Sequence, residues 1–512
     1  MKICLINPPN IFEKENGYIW SANIYTLPYL GIGYIASYLK QNNIDVDIID
    51  CPVEDADIHA VYRRLELGQY QAVGISVFYY NLHFAMKIVR HIKKQNNNTF
   101  VFVGGFLPTL DYETLLLKIN WPIDCCVIGW GEFVSLELMQ AIENKAEWRN
   151  IAGIAYRQEG QAIRNKNICH NDLDIIPNPI RTCGKYPINF VSILTSRGCF
   201  GNCNFCGEKE FSIANGTSGI IYRSVDSVID EILCLKQQYS FHHLRINDSN
   251  FLDASKKRRS WLIRFCEMLN QKNIDITFSC NSRAKDIITQ KDILNILKDV
   301  GMTSVFIGIE SFSQRQLDSY SKNTQVQDNL ECLKILSGNG IKAEIGLIFI
   351  DPYTSIDEFI LNIDTLLNSS FLSILDVTQH FVSSACTLFL IPGTRLETQI
   401  KNDKVNCKNA LGYQFADERI NLVQEILEEW SEKIKPITSL KYVLFKAIAQ
   451  KNQKLIAQYY DWFKNIFEED IHFIKRVAEG IKNGNINRKN YKSLLDAETD
   501  AIFNMHEKYF EG

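Results

Sequence analysis

The sequence is poor in the features that place a chain in a membrane, a fibre or a nucleic-acid complex. No stretch of its 512 residues approaches the ~18 consecutive apolar residues of a membrane helix. Charge of neither sign dominates: 55 Lys+Arg face 59 Asp+Glu, a formal net charge of −4. That balance gives no reason to expect a polyanionic partner, although a local basic groove is compatible with it. Low-complexity tracts and repeats of solenoid period are missing. Met1-Lys2-Ile3 enters a strand-like segment directly, without the charged head, apolar middle and small-residue cleavage site of a secretory signal. The expectation is a cytoplasmic protein with no membrane segment. What is present is ordinary globular composition, 46% hydrophobic and 22% charged, which excludes a disordered or collagen-like chain. At roughly 100–200 residues per domain the length predicts two to four domains.

Fifteen cysteines suggest a disulfide inventory, but an odd count without a secretion signal argues for reduced thiols. Most stand singly in apolar stretches (Cys4, Cys234, Cys266, Cys332), where a free Cys behaves as a small buried hydrophobe. One group is different. Thr195-Ser-Arg-Gly-Cys199-Phe-Gly-Asn-Cys203-Asn-Phe-Cys206 is a polar loop with three closely spaced thiols. Cysteine thiolates ligate iron–sulfur clusters, and three of them can hold three irons of a [4Fe–4S] cube while the fourth iron stays open. Zinc is the rival, but structural zinc takes four closed ligands, usually in two separated pairs. The nearest other candidates, His242-His243, are adjacent on a strand and point to opposite faces.

Residues up to about 165 alternate short apolar strands with amphipathic helices. Strands are predicted at Lys2–Asn7, Asp45–Asp50, Ala72–Val77, Phe100–Val103 and Cys125–Ile128, with helices at Leu30–Lys40 and Phe84–Lys94. This order predicts an open, parallel, doubly wound (Rossmann-like) α/β sheet, with ligands beyond the carboxyl ends of its strands. Residues 166–189, with Pro177, Pro179 and Pro187, read as a linker. Alternation resumes over 190–400, with six strands expected at Phe190–Leu194, His243–Ile246, Ile274–Ser279, Ser304–Ile309, Ala343–Ile348 and Val377–Ser383. Residues 401–512 lack clear strands and predict a helical carboxyl-terminal domain.

Cys199-x3-Cys203-x2-Cys206, following a strand and with Phe205 before the last Cys, resembles the signature of radical S-adenosylmethionine (SAM) enzymes. The resemblance implies a partial (β/α)6 barrel, a [4Fe-4S] cluster held by Cys199, Cys203 and Cys206, and SAM chelating the open iron. It also implies a one-electron donor such as flavodoxin or ferredoxin. Further segments follow in family order. Arg245-Ile-Asn-Asp248-Ser-Asn-Phe251 resembles the second-strand segment, placing Asp248 near the SAM amine, although the family's Gly-Gly-Glu form is absent. Phe278-Ser-Cys-Asn281-Ser-Arg283 resembles the third-strand polar end, implying that Asn281 and Arg283 lie near the ribose or carboxylate. Phe306-Ile-Gly308-Ile-Glu310-Ser311 is similar to the fourth-strand segment, with Glu310 and Ser311 expected near SAM, and Ile391-Pro-Gly-Thr394 resembles the turn after the sixth strand.

Asn7-Pro-Pro, Leu27-Pro-Tyr-Leu-Gly-Ile-Gly33, Gly104-Gly105 and Gly129-x-Gly-Glu132 resemble the cobalamin (B12)-binding domain that precedes many radical SAM cores. The implied contacts are Asn7, Gly104, Gly105, Gly129 and Glu132, glycines at strand ends allowing close approach of a large flat ligand. The Asp-x-His-x-x-Gly motif that supplies a lower axial histidine elsewhere is absent, so a bound cobalamin would lack that ligand.

The expected activity is hydrogen abstraction from an unactivated C–H bond of a small-molecule, natural-product or peptide substrate, with cobalamin-dependent methyl transfer to the carbon. A second reading is a peptide epimerase in which Cys386, shortly before Pro392-Gly-Thr394, returns a hydrogen atom from the opposite face. A third is a non-catalytic iron–sulfur or corrin carrier. An RNA-directed methylthiotransferase is disfavoured, since no second cysteine triad and no basic carboxyl-terminal segment accompany the loop. Aromatic and aliphatic stripes at Val443–Ile448, Tyr459–Phe467 and Ile471–Val477 predict a helical core or a groove for a peptide.

Overall fold

Lys2-Ile-Cys-Leu-Ile-Asn7 forms β1 (Lys2–Asn7), and its inner residues Ile3, Cys4, Leu5 and Ile6 are buried. Continuous apolarity is what a central parallel strand covered on both faces requires. In this computed structural model the described residues are 1–9, 27–182, 190–217, 219–368, 372–375, 386–403, 405, 413–438, 440 and 453–510. β2 (Asp45–Asp50) and β3 (Ala72–Ser76) flank β1 in parallel, followed by β4 (Phe100–Gly104) and β5 (Cys125–Val127). The sheet order is β2-β1-β3-β4-β5, so the winding reverses between β1 and β3, the point where such sheets open a ligand crevice. Each of these strands lies within one residue of its predicted ends.

An antiparallel hairpin that the strand–helix alternation does not predict, β6 (Ile154–Gln158) and β7 (Gln161–Arg164), extends the sheet beyond β5. Its turn residues Glu159 and Gly160 both have positive φ (49° and 77°), the backbone that tight hairpins favour.

The second sheet runs β8 (Phe190–Ile193), then, beyond a two-stranded ribbon of β9 (Ser196–Arg197) and β10 (Ile221–Tyr222), β11 (His243–Ile246), β12 (Thr277–Arg283), β13 (Met302–Glu310) and β14 (Lys342–Leu347). β8 and β11–β14 are parallel and sequential in space. The third strand begins three residues later than expected, because Ile274 is still tied to the preceding helix through its N–H to Leu269 O (2.9 Å). The sixth strand, expected at Val377–Ser383, lies outside the described residues.

Alternation along these strands sorts two faces. Leu244, Ile246, Phe278, Cys280, Val305 and Ile307 are buried in the main apolar core, while Arg245, Ser279, Asn281, Arg283 and Glu344 occupy the opposite parity. Arg245 on β11 lies 3.7 Å from Glu344 on β14, with β12 and β13 between them. Such a contact requires a sheet curved into a partial barrel with a polar lumen.

Helices at Glu418–Thr438, Gln453–Lys482 and Tyr491–Phe510 follow. Their apolar residues belong to the same core as the barrel, from Val191 through Trp430 and Phe463 to Ile502. The stripes at Tyr459–Phe467 and Ile471–Val477 therefore pack inward, with Trp462, Phe463, Ile471 and Phe473 fully buried. Val443–Ile448 lies outside the described residues. Among the described residues no helix is long and apolar enough to cross a membrane.

Candidate active site

The cysteine loop leaves the carboxyl end of β8 through a rigid hinge. Asp248, which follows β11, accepts hydrogen bonds from Thr195 N (2.6 Å), Ser196 N (3.1 Å), Ser196 Oγ (2.6 Å) and the Thr195 hydroxyl. Arg258 completes the set at 3.1 Å, and neither side chain of the pair is exposed. Asp248 thus departs from its expected role near SAM: its oxygens are buried and occupied, and it fixes the start of the loop instead. Gly198 follows at φ +94°, with the Gly219 carbonyl where a Cβ would stand.

Cys199 accepts the Gly201 N–H at 3.2 Å, and a Cβ on Gly201 would lie 3.7 Å from Arg283 Nε. Cys199 and Cys206 are half-buried, Cys203 is buried, and all three thiols are free. Burial pushes the Cys206 thiol up to about 12. It also raises Cys199, against the pull of the Gly201 amide and the Arg283 cation. Among the described residues no three His, Cys, Asp or Glu side chains converge on one point as a single-ion site. Ligands of a cube bind separate irons and need no common point, unlike those of zinc.

Facing the loop, the end of β13 is distorted. Glu310 sits at φ +62°, beside a break in the β13–β14 register between Gly308 and Glu310. Its carboxylate pairs with Lys322 at 2.7 Å, both nearly buried. A Cβ on Gly308 would run into Glu310 Oε1 and stand 2.6 Å from Lys322 Nζ, so a larger residue there would have to displace the ends of this pair. Arg283 donates through Nη2 to Lys322 O (2.9 Å), while its buried Nε has no partner. Asn281 donates to Asp248 O (2.8 Å) and accepts from Arg245 (2.6 Å).

Two expected site residues point elsewhere. Ser311 is fully buried and bonds Gln316 (2.6 Å) and Asn362 (2.9 Å) in the packing behind the barrel. Cys386 is 1% exposed within the apolar core. Burial raises its thiol to about 12, and it does not line the cavity described next.

A cavity of about 440 Å³ lies at the β1/β3 reversal and reaches the barrel. Gly104, Gly105 (φ +104°), Gly129 (φ +80°) and Glu132 line it from the first domain, and Arg197, Gly198 and Glu208 from the cysteine loop and the helix after it. Asn7 does not; it donates to Asp50 (2.9 Å), whose other oxygen receives Tyr29 N (2.8 Å), and so it orients the segment entering the cavity wall. Arg197 and Trp130 belong to the Thr195–Cys206 and Gly129–Glu132 segments, yet nothing in the sequence marks them or Lys322 as site residues.

A B12-binding domain model matches residues 24–138, and a radical SAM superfamily model matches residues 193–365. The chain is a radical SAM protein with an amino-terminal B12-binding domain. An uncharacterised methyltransferase of Pyrococcus horikoshii is 27% identical over 497 residues, covering 94% of this chain and 98% of its own. An anaerobic magnesium-protoporphyrin IX monomethyl ester cyclase of Rubrivivax gelatinosus is 27% identical over 334 residues, covering 63% and 58%. Among solved structures, the cobalamin-dependent SAM radical enzyme OxsB, with aqua-cobalamin and SAM bound, superposes with a TM-score of 0.74 at 18% identity, covering 99% of this chain and 78% of its own. TsrM from Kitasatospora setae, with cobalamin and a [4Fe-4S] cluster bound, gives 0.60 at 15% identity, covering 78% and 75%. These structures share the fold.

The side chains of this radical SAM protein fit the cofactors its family implies. Three free thiols on one loop, a backbone N–H on one sulfur and a guanidinium beside it suit an anionic cluster. For the B12-binding domain the test is the cavity wall. Tyr34 Oη, Glu132 Oε2, Ser135 Oγ and Ser192 Oγ are buried without partners, and all four residues line the cavity. Buried polar atoms need partners, and a ligand rich in amides and a phosphate supplies them. No histidine is among the described lining residues, in keeping with the missing lower-ligand motif.

Proposed function

We propose that this protein is a cobalamin-dependent radical SAM methyltransferase that methylates an unactivated carbon of a small-molecule or peptide substrate. The observation that carries the reading is the shared cavity: the glycine turns of the B12-binding domain and residues flanking the cysteines line one space. When bound, the cluster supplies the electron that cleaves SAM and the corrin supplies a transferable methyl group.

The chain's own part is positioning and exclusion. Cys199, Cys203 and Cys206 hold the cluster as thiolates, and Arg283 offsets part of their charge. Arg283 and the Glu310–Lys322 pair offer a cation and a carboxylate at the barrel mouth, where the ammonium and carboxylate of SAM require partners. Asn281 orients this edge through its bonds to Asp248 and Arg245. Apolar walls on both domains keep water from a radical carbon. A flavodoxin- or ferredoxin-type protein would deliver the electron, in the cytoplasm. The burial of Cys386 disfavours the epimerase reading.

Anaerobic reconstitution of the full chain with iron, sulfide and hydroxocobalamin tests this. Wild type should retain iron, sulfide and a corrin spectrum after desalting and form 5′-deoxyadenosine from SAM. Cys199→Ala should lose the cluster and SAM cleavage while still binding the corrin, with the weaker affinity of cluster-free protein. A wild-type protein that retains no corrin, or that turns over substrate without a methyl mass gain, would overturn the methyltransferase reading.

A further inference from the structure

We infer that the Gly129–Glu132 turn of the B12-binding domain is a clamp on the cysteine loop, with Arg197 and Trp130 as positioning residues. Through it, cluster loading and corrin binding favour one another. The coupling rests on the cofactor assignment proposed above; the clamp itself does not.

The turn grips the cluster segment at both ends. At the entry, two residues before Cys199, Arg197 Nη2 meets Glu132 Oε1 at 2.6 Å, with the two side chains 13% and 4% exposed. The guanidinium lies 5.1 Å from the centroids of both the Tyr34 and Trp130 rings. At the exit, Trp130 N donates to Asn215 Oδ1 at 2.9 Å, just past the helix Gly207–Ala214 that follows Cys206. Gly129 permits this approach, because a Cβ there would run into Asn215 Oδ1. Phe106 stacks on Phe211 of that helix at 4.8 Å, adding a third point of attachment.

A pair this buried is costly to strand, since losing one partner leaves an unpaired charge. Its geometry is also fixed from behind, because Asp248 locks Thr195 and Ser196 immediately before Arg197. The segment between Arg197 and Asn215 therefore cannot shift without moving the turn. Gly129, Trp130, Glu132 and Arg197 all line the cavity, and Glu132 Oε2 is buried there with no partner. A ligand donor reaching that oxygen would hold the carboxylate in the orientation that Arg197 needs. Two sites that order the same element are coupled, and the coupling is reciprocal.

The test uses the full chain as wild type, Arg197→Met, Arg197→Lys and the milder Glu132→Gln. Hydrogen exchange on cofactor-free protein should show residues 199–217 exchanging several-fold faster in Arg197→Met, intermediate in Glu132→Gln, and largely restored in Arg197→Lys. Hydroxocobalamin affinity is then measured with and without the reconstituted cluster. Wild type should bind about fivefold or more tightly with the cluster present, within the usual span of allosteric coupling. In Arg197→Met that ratio should fall to near one. A general loss of stability would weaken both forms alike and preserve the ratio, which counts against the clamp. Wild-type exchange across 199–217 in both Arg197→Met and Glu132→Gln would overturn it outright. Should wild type bind no corrin while Arg197→Met still loosens 199–217, the clamp stands and the cobalamin assignment falls.

Discussion

At Glu310 a left-handed backbone and a buried ion pair pull in opposite directions. Holding an L-residue at φ +62° costs about 1–2 kcal/mol, of which glycine would recover part after its own entropic cost of about 0.5–1 kcal/mol. Removing the carboxylate strands Lys322, a loss of about 3–5 kcal/mol for a buried pair. The ion pair wins, so Glu310→Gly should destabilise by about 3 kcal/mol in urea unfolding. Asp248→Asn should lose a similar amount, about 3 kcal/mol, because Arg258 is equally buried, and it should lower iron uptake by loosening the loop. The thiols and Glu310 stand out in sequence because their spacing carries the family-like pattern. Asp248, Ser311 and Asn7 sit in equally suggestive places, yet the structure turns each toward a partner distant in sequence, and it buries Cys386 in the apolar core. Nothing local encodes Ser311 meeting Asn362 or Asp248 meeting Arg258.

Strands were the most readable elements, since a buried parallel strand is a continuous apolar run. The β6–β7 hairpin is hard to read from sequence because its outer residues are polar and its Glu159-Gly160 turn is brief. That turn yields a clean prediction. Gly160 has φ +77° and open space around it, so Gly160→Ala should cost about 1 kcal/mol from backbone conformation alone. Gly105→Ala should cost more, since its Cβ would also press to 3.2 Å from Val77 O. Paired denaturation curves separate the two. On β11, burial and then the Arg245 cation push the His243 imidazole down to about 4, from 6.5 in an unfolded chain. The folded lumen then binds a proton less readily than the unfolded chain. Stability should therefore decline as pH falls from about 6.5 toward 4, and His243→Gln should flatten that slope.

Across the whole molecule, the boundary expected at 401 is a change in element type rather than in packing. Trp430 Nε1 donates to Asp470 (2.8 Å) between helices, and Lys475 and Lys482 reach Asp364 and Asp357 on the barrel helix Ile356–Asn368 at 2.6 and 2.7 Å. Composition alone suggested a separate unit, because helical periodicity shows that a face is buried without saying against what. A chain truncated after residue 412 should expose the barrel side of that core and aggregate. Calorimetry of the full chain should show barrel and helices melting in one transition.

The common core running from Val191 to Ile502 also bears on how substrate scope can be re-engineered. Exchanging the tail wholesale with that of another family member would graft foreign interior surfaces onto a native barrel and leave misfitted seams. New specificities are better sought by point changes on lumen-facing positions such as Arg245 and Glu344, where the scaffold already tolerates polarity.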